Sequence, residues 1–301
     1  MSGSSVTLQG LERRSGASFG GVVPSSAVAR DAGTLVAALC VEHHSDGAVV
    51  PLLVLSEAPG VLAPEALETV SVRDDRGRDY RVVVLNGQSG LGTLQASLWI
   101  APPLPADARR IDLTVPGLAR TAPARGGGGV TRPLAGGPWS LAIDLVPSRT
   151  TVPVPARPDR RTERPGSRGE RVPARALAAF RGLVPVGQAR VSSGEAVCLW
   201  ALERYQDLAL LTLAVLDGRG DSGAPAGDEL SLSAWDDRGR AYAVTFLSAS
   251  AAQGWCDLTV RLEPAIDPAA ERLGVRVAAA AEGAAAGQAT EFLFGVALPP
   301  A

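Results

Sequence analysis

Short apolar runs separated by turn residues return about every ten to fifteen residues along the chain, close to the spacing of an all-β protein. In the N-terminal half the runs predict strands at Thr34–His44, Val49–Ser56, Glu68–Arg73, Asp79–Leu85, Leu94–Ile100, Arg110–Val115 and Trp139–Val146. In the C-terminal half they predict strands at Glu195–Tyr205, Leu208–Leu216, Glu229–Trp235, Ala241–Ser248, Gly254–Leu262, Arg272–Ala278 and Thr290–Leu298. Several alternate in the two-residue period of a half-buried strand: Val70 and Val72 against Ser71 and Arg73, Leu230 and Leu232 against Ser231 and Ser233. Arg276–Ala286 is Ala-rich and helical by propensity, but its place in the series predicts a strand followed by a loop.

The two halves repeat each other. Val72-Arg73-Asp74-Asp75-Arg76-Gly77-Arg78-Asp79-Tyr80 returns as Ala234-Trp235-Asp236-Asp237-Arg238-Gly239-Arg240-Ala241-Tyr242. Phe19–Pro24 matches Phe180–Pro185, and Glu42 closes an apolar run as Glu203 does. The near-constant offset predicts one domain duplicated. The shared Asp-Asp-Arg-Gly-Arg reads as a hairpin connection in which Asp accepts turn amides and Gly supplies a positive φ. Tyr80 and Tyr242 then open the return strands.

Between the halves, 151–177 forms a Pro/Arg-rich linker with seven arginines from Arg157 to Arg175 and few apolar residues to bury. The predicted organisation is a disordered N-terminus over 1–16, a first sandwich over 17–150, that linker, and a second sandwich over 178–301.

Composition removes several chemistries. Lysine is absent, which excludes a Schiff-base lysine and a P-loop lysine. A net charge of −2 gives no global attraction to nucleic acid or membrane. No signal-peptide core and no run of about 18 apolar residues is present, so the expectation is a cytoplasmic protein without membrane association. Three cysteines are too few and odd in number for a disulfide framework; Cys198 and Cys256 are expected as free buried thiols.

The remaining motifs divide into chemistry and shape. Gly220-Asp221-Ser222-Gly223-Ala224-Pro225 resembles the nucleophile segment of trypsin-like serine peptidases, and Asp207-Leu208-Ala209-Leu210-Leu211 resembles their aspartate segment. A triad needs the aspartate to orient a histidine that deprotonates the serine. Here one apolar run separates Asp207 from Ser222, and the two histidines, His43 and His44, lack the family's small-residue setting. A peptidase using Ser222 is the alternative to a non-enzymatic reading. His43 and His44, adjacent on a strand, point to opposite faces and converge poorly on a metal. The Asp-Asp pairs lack the alternating acids of a calcium loop. As hairpin-tip residues they are expected to be exposed, with ordinary pKa values. Neither a metal nor a cofactor is expected.

Binding is carried by surface features. Arg76, Arg78, Arg238 and Arg240 decorate the hairpin tips, and Trp235 lies on the face opposite Leu232 and Ala234. Trp235 is a contact residue if that face is open and packing if a loop covers it. In the linker, Arg157, Arg160, Arg161, Arg164 and Arg168 are candidates for contact with an anion, a second alternative for the function. No aromatic residues interleave them for base stacking, so nucleic acid is not the expected partner.

The order of Asp74–Tyr80, then Leu98-Trp99-Ile100-Ala101-Pro102-Pro103-Leu104-Pro105, then Arg109-Arg110-Ile111-Asp112-Leu113 resembles an immunoglobulin-like β-sandwich of actinobacterial proteins of unknown function. The C-terminal half keeps the hairpin and replaces the Pro-rich exit with Glu263-Pro264-Ala265-Ile266-Asp267-Pro268. The resemblance implies a fold and no activity. The expected protein is all-β: two tandem immunoglobulin-like antiparallel β-sandwiches from an internal duplication, non-enzymatic, binding or scaffolding a protein partner.

Overall fold

The computed structural model describes residues 19–123, 129–145, 153–157, 179–192, 195–217, 230–252, 255–280 and 289–299. It divides into two compact units, the second of which includes 153–157. Both are built from antiparallel strands, and the described residues hold one short 3₁₀ turn, Pro64–Thr69, beside them.

In the first unit the strands are β1 (Phe19–Pro24), β2 (Val28–Asp31), β3 (Thr34–Ala38), β4 (Cys40–His44), β5 (Gly47–Ser56), β6 (Val61–Leu62), β7 (Ser71–Asp74), β8 (Asp79–Gly90), β9 (Thr93–Ala101), β10 (Arg110–Val115), β11 (Ala119–Pro123), β12 (Gly129–Pro133) and β13 (Trp139–Asp144). Neighbours run β1-β4-β5-β9-β8-β7-β10-β13, with β3 also on β5, β2 on β3, and a separate small sheet β12-β11-β6. The second unit has β14 (Phe180–Ser192), β15 (Glu195–Tyr205), β16 (Ala209–Asp217), β17 (Leu230–Asp236), β18 (Ala241–Ala252), β19 (Trp255–Glu263), β20 (Arg272–Ala280) and β21 (Ala289–Ala297). Its order is β14-β15-β16-β19-β18-β17-β20-β21.

Register agrees as closely as order. Leu52 faces Ala96 as Leu213 faces Leu258. Val82 faces Ile100 as Val244 faces Leu262. Ile111 faces Asp74 as Leu273 faces Asp236. Each long strand after the hairpin carries a bulge at the same place, between Val84 and Asn86 and between Phe246 and Ser248. A bulge bends its strand and increases its twist. The effect is visible in how β8 is shared: Tyr80 pairs with Val72 of β7, while Arg81 onward pairs with β9. β18 behaves the same way, with Tyr242 on Ala234 and Ala243 onward on β19. Each unit therefore curls its strand path around a single apolar core.

Side-chain periodicity explains which residues fill that core. In β13, Trp139, Leu141 and Ile143 are buried while Ser140, Ala142 and Asp144 are exposed. They meet Val50, Leu52, Leu98, Ile111 and Leu113 in one cluster. The second cluster joins Leu211, Leu213, Leu258, Val260, Val275 and Phe294. All ten residues of β5 are buried, so this strand is apolar on both faces and shows no alternation in sequence.

Two differences from the expected elements have local causes. The strand expected from Glu68 begins at Ser71, because Pro64 opens the 3₁₀ turn that occupies Pro64–Thr69. The path-end strands β1 and β14 carry Pro24, Pro185 and positive-φ Gly21 and Gly182, which weaken their strand signal and suit a sheet edge. No helix among the described residues is long and apolar enough to cross a membrane.

Candidate functional site

The repeated motif is a hairpin closed by an internal carboxylate. Asp74 Oδ1 accepts from the amides of Arg76 at 3.0 Å and Arg78 at 2.9 Å, and its Oδ2 accepts from the Tyr80 hydroxyl at 2.7 Å. Asp236 repeats this with Arg238 at 3.0 Å, Arg240 at 2.9 Å and Tyr242 at 2.6 Å. Gly77 and Gly239 take φ of 79° and 81°, the left-handed turn the motif requires. The second aspartate of each pair ties the tip to the next loop: Asp75 accepts from the Arg109 amide and Asp237 from the Glu271 amide.

The first aspartates are not exposed as their sequence position suggests. Asp74 is 3% and Asp236 0% accessible, each turned inward onto the tyrosine hydroxyl and the turn amides. Burial works to raise the Asp74 pKa, but the Tyr80 hydroxyl and the Arg78 and Arg76 amides outweigh it, leaving it below the ordinary carboxylate value. Burial, and then the bond to Asp74, push Tyr80 up to about 12; Tyr242 moves the same way. The network leaves the carboxylate oxygens occupied, which suits a structural joint and not an acid or base.

A second matched pair sits at the strand ends. Glu42 and Glu203 are each fully buried on β4 and β15. In the second unit Tyr205 donates to Glu203 Oε2 at 2.7 Å. In the first the corresponding residue is His44, whose Nε2 lies 3.5 Å from Glu42 Oε2, with its ring 5.7 Å from Phe19 and 5.9 Å from Trp99. His43 is half-buried, and burial followed by the neighbouring His44 charge lowers its pKa. Among the described residues no group of three or more His, Cys, Asp or Glu could hold a metal.

Beside Tyr205 lies a cleft of about 490 Å³. Its apolar floor includes Leu183, Val184, Leu208 and Ile266, and Arg181, Arg204 and Arg240 line it against a single acid, Asp267. Among the described residues each guanidinium has one polar side-chain or carbonyl partner: Arg181 donates to Gln206 Oε1 at 3.1 Å, Arg204 to the Pro299 carbonyl at 3.1 Å, and Arg240 lies 3.7 Å from Asp267. A guanidinium offers five N–H donors, so most stay available to a ligand oxygen. An apolar floor with a few convergent cations is the makeup of a site for an anionic group on an apolar body.

Of the contact residues expected from sequence, Arg240 alone lines this cleft among the described residues. Arg76 pairs with Asp107, and Arg78 and Arg238 are exposed on their tips. Trp235 is 3% accessible and covered by 153–157, so it packs and is not an open contact. Arg157 stands 5.7 Å above its ring; Arg160, Arg161, Arg164 and Arg168 lie outside the described residues. Ser222 lies outside them too. Cys198 and Cys256 form no disulfide and are buried, and burial, then the Asp257 charge, push the Cys256 thiol up to about 11, far from a reactive thiolate. Sequence reasoning missed Arg181, Arg204 and Asp267 as a group. The available signal was difference between the halves, since Gly20, His43 and Pro105 stand at the matching positions.

No protein-family model matches the chain, and no curated protein matches it. Among solved structures, a conserved domain protein from Bacillus anthracis aligns over 91% of this chain and 90% of its own, at 10% identity and a TM-score of 0.30. A likeness of that degree carries no argument for fold or function.

Proposed function

We propose that this is a non-enzymatic binding protein made of two duplicated immunoglobulin-like β-sandwiches, the second of which captures an acidic, apolar-bodied segment of a protein partner. The arginine-lined cleft beside Tyr205 carries the reading. Its three guanidiniums face one carboxylate around an apolar floor. Partner acids would find unspent donors there, while partner aliphatics would cover Leu208 and Ile266. The matched strand order and register of the two units support their origin from one ancestral module. The residues they share, Asp74, Tyr80, Asp236 and Tyr242, are consumed in holding each hairpin, which supports a scaffold whose recognition lies in residues that differ.

The test uses the full chain and a fluorescent peptide alternating glutamate with leucine, followed by anisotropy. Wild type is expected to bind, and Arg204→Glu with Arg240→Glu to weaken binding at least tenfold while the melting temperature holds. Raising salt should weaken the wild-type complex. Equal binding by wild type and the double variant, or no binding by either, would reject the cleft as the acidic-segment site.

A further inference from the structure

Trp235 presents a different kind of contact. Its side chain leaves the β17 face opposite the core, where a free surface indole would meet water. Instead, its Nε1 donates to the carbonyl of Pro155 at 2.9 Å. Pro155 is buried, its neighbours Val154 and Ala156 are exposed, and the Arg157 guanidinium lies 5.7 Å over the indole. On β20, Gly274 makes room: a Cβ there would stand 2.6 Å from the indole. Asp237, Arg238, Gly239 and Arg272 flank the seated segment across a cleft of about 560 Å³.

Each part has a recognisable physical purpose. A proline-spaced segment such as Pro153-Val154-Pro155-Ala156-Arg157 has little internal hydrogen bonding to lose and restricted backbone freedom, so docking it costs less entropy than docking an ordinary chain. Its exposed carbonyls are strong acceptors, and an indole N–H beside an aromatic face is a donor suited to them. An arginine stacked on the same ring adds a cation–π contact. The matching position in the first unit is Arg73, which pairs with Asp79 in solvent, so the feature belongs to the second unit alone.

We infer that the Trp235 groove is a recognition site for extended Pro-x-Arg segments, held closed in cis by the chain's own Pro153–Arg157. The site is separate from the arginine-lined cleft, and neither depends on the other. A tethered segment acts at an effective concentration on the order of millimolar, so an external peptide of moderate affinity is excluded until the strap leaves. The partner this predicts is a protein segment of the same chemistry, which gains access when the strap is displaced.

The experiment uses a labelled synthetic peptide with the sequence Pro153 to Pro158 and the full-length chain. A strap variant, Pro155→Gly with Arg157→Ala, removes the constrained residue and the stacked cation without touching a strand. The variant is expected to bind the peptide at least tenfold more tightly than wild type. Replacing the peptide arginine by alanine should weaken binding several-fold, a control that asks nothing of the protein's folding. Adding Trp235→Phe to the strap variant should remove most of the remaining affinity, since phenyl keeps the ring and loses the donor. Equal affinity of wild type and strap variant, absence of binding by both, or indifference to the peptide arginine would each overturn the inference and leave the strap as packing.

Discussion

At Asp74 and Asp236 the two units match bond for bond, whereas at the strand ends beside Glu42 and Glu203 they part company. Both hairpins place an aspartate under a tyrosine and spend its oxygens on two amides and a hydroxyl. At the strand ends the buried glutamate is common, but its neighbour is His44 among rings in one unit and Tyr205 beside an arginine-lined cleft in the other. The contrast separates a motif that both units carry from a position at which they differ. A group buried with its oxygens committed cannot be replaced without orphaning its partners, and such a group stands in both units. At the strand ends the buried glutamate is kept but its neighbour is not: a tyrosine hydroxyl serves it at 2.7 Å in one unit, and an imidazole stands 3.5 Å away in the other.

The largest expected effect comes from breaking the shared joint. Asp236→Ala strips two amides and a buried hydroxyl of their acceptor and should destabilise the second unit by about 3 kcal/mol. Asp74→Ala should destabilise the first unit in the same direction, by denaturant titration of the full chain. An outcome in which one aspartate is essential and the other dispensable would break the equivalence of the hairpins.

A smaller effect, with a pH signature, comes from the tyrosines. Tyr242→Phe and Tyr80→Phe each remove one buried hydrogen bond to a carboxylate, about 2 kcal/mol. Because Tyr80 is held protonated up to about 12 when folded, its contribution is complete below the free phenol value. The unfolded chain releases that proton first as pH rises, so stability should fall between about pH 10 and 12. The Phe variants should flatten that alkaline fall. On the acid side, Asp74 is depressed, so its contribution is present above the ordinary carboxylate value and fades as pH drops through the folded one. Stability that is level across the alkaline range in wild type would count against the buried phenols.

Tyr205→Phe sharpens the contrast at the strand ends. It deletes the 2.7 Å bond to buried Glu203 and should cost about 1.5 kcal/mol by thermal melt. The first unit offers no equivalent deletion, since its contact is an imidazole 3.5 Å from Glu42. His44→Phe is therefore expected to cost less than Tyr205→Phe.

Much of the fold was legible because it rests on local signals. Arg110–Val115 and Glu195–Tyr205 were bounded correctly by their apolar runs and turn residues. The hairpin chemistry, with its accepting Asp and left-handed Gly, follows from residue type alone. The burial of Asp74 and Asp236 did not, because an Asp-Asp pair at a turn looks solvated until the hydroxyl of the tyrosine six residues on is seen to bond the first carboxylate. Edge strands β1 and β14 were hidden by their prolines and glycines, and the short strands β2, β6, β11 and β12 carry too few apolar residues to read as strands. The cleft was the least legible feature. Arg181, Arg204, Arg240 and Asp267 come from four separate segments that only the sheet path brings together. Trp235 could be read either way from sequence, since alternation gives a face but not its cover.

The smallest expected effect separates display from support at the tips. Arg76 and Asp107 form an ion pair with 54% and 64% of their side chains exposed. Exposed pairs gain little Coulomb energy in water and lose side-chain entropy, so Arg76→Ala should change stability by about 0.5 kcal/mol or less. Arg238→Ala, on the same position of the second hairpin, should be equally mild, because its amide and not its guanidinium serves Asp236. The two variants therefore read the tips as surface without disturbing the joint beneath. A loss comparable to Tyr242→Phe from either arginine would mean that the tip side chains hold the hairpin after all, and the division between a shared internal joint and a free outer surface would have to be redrawn.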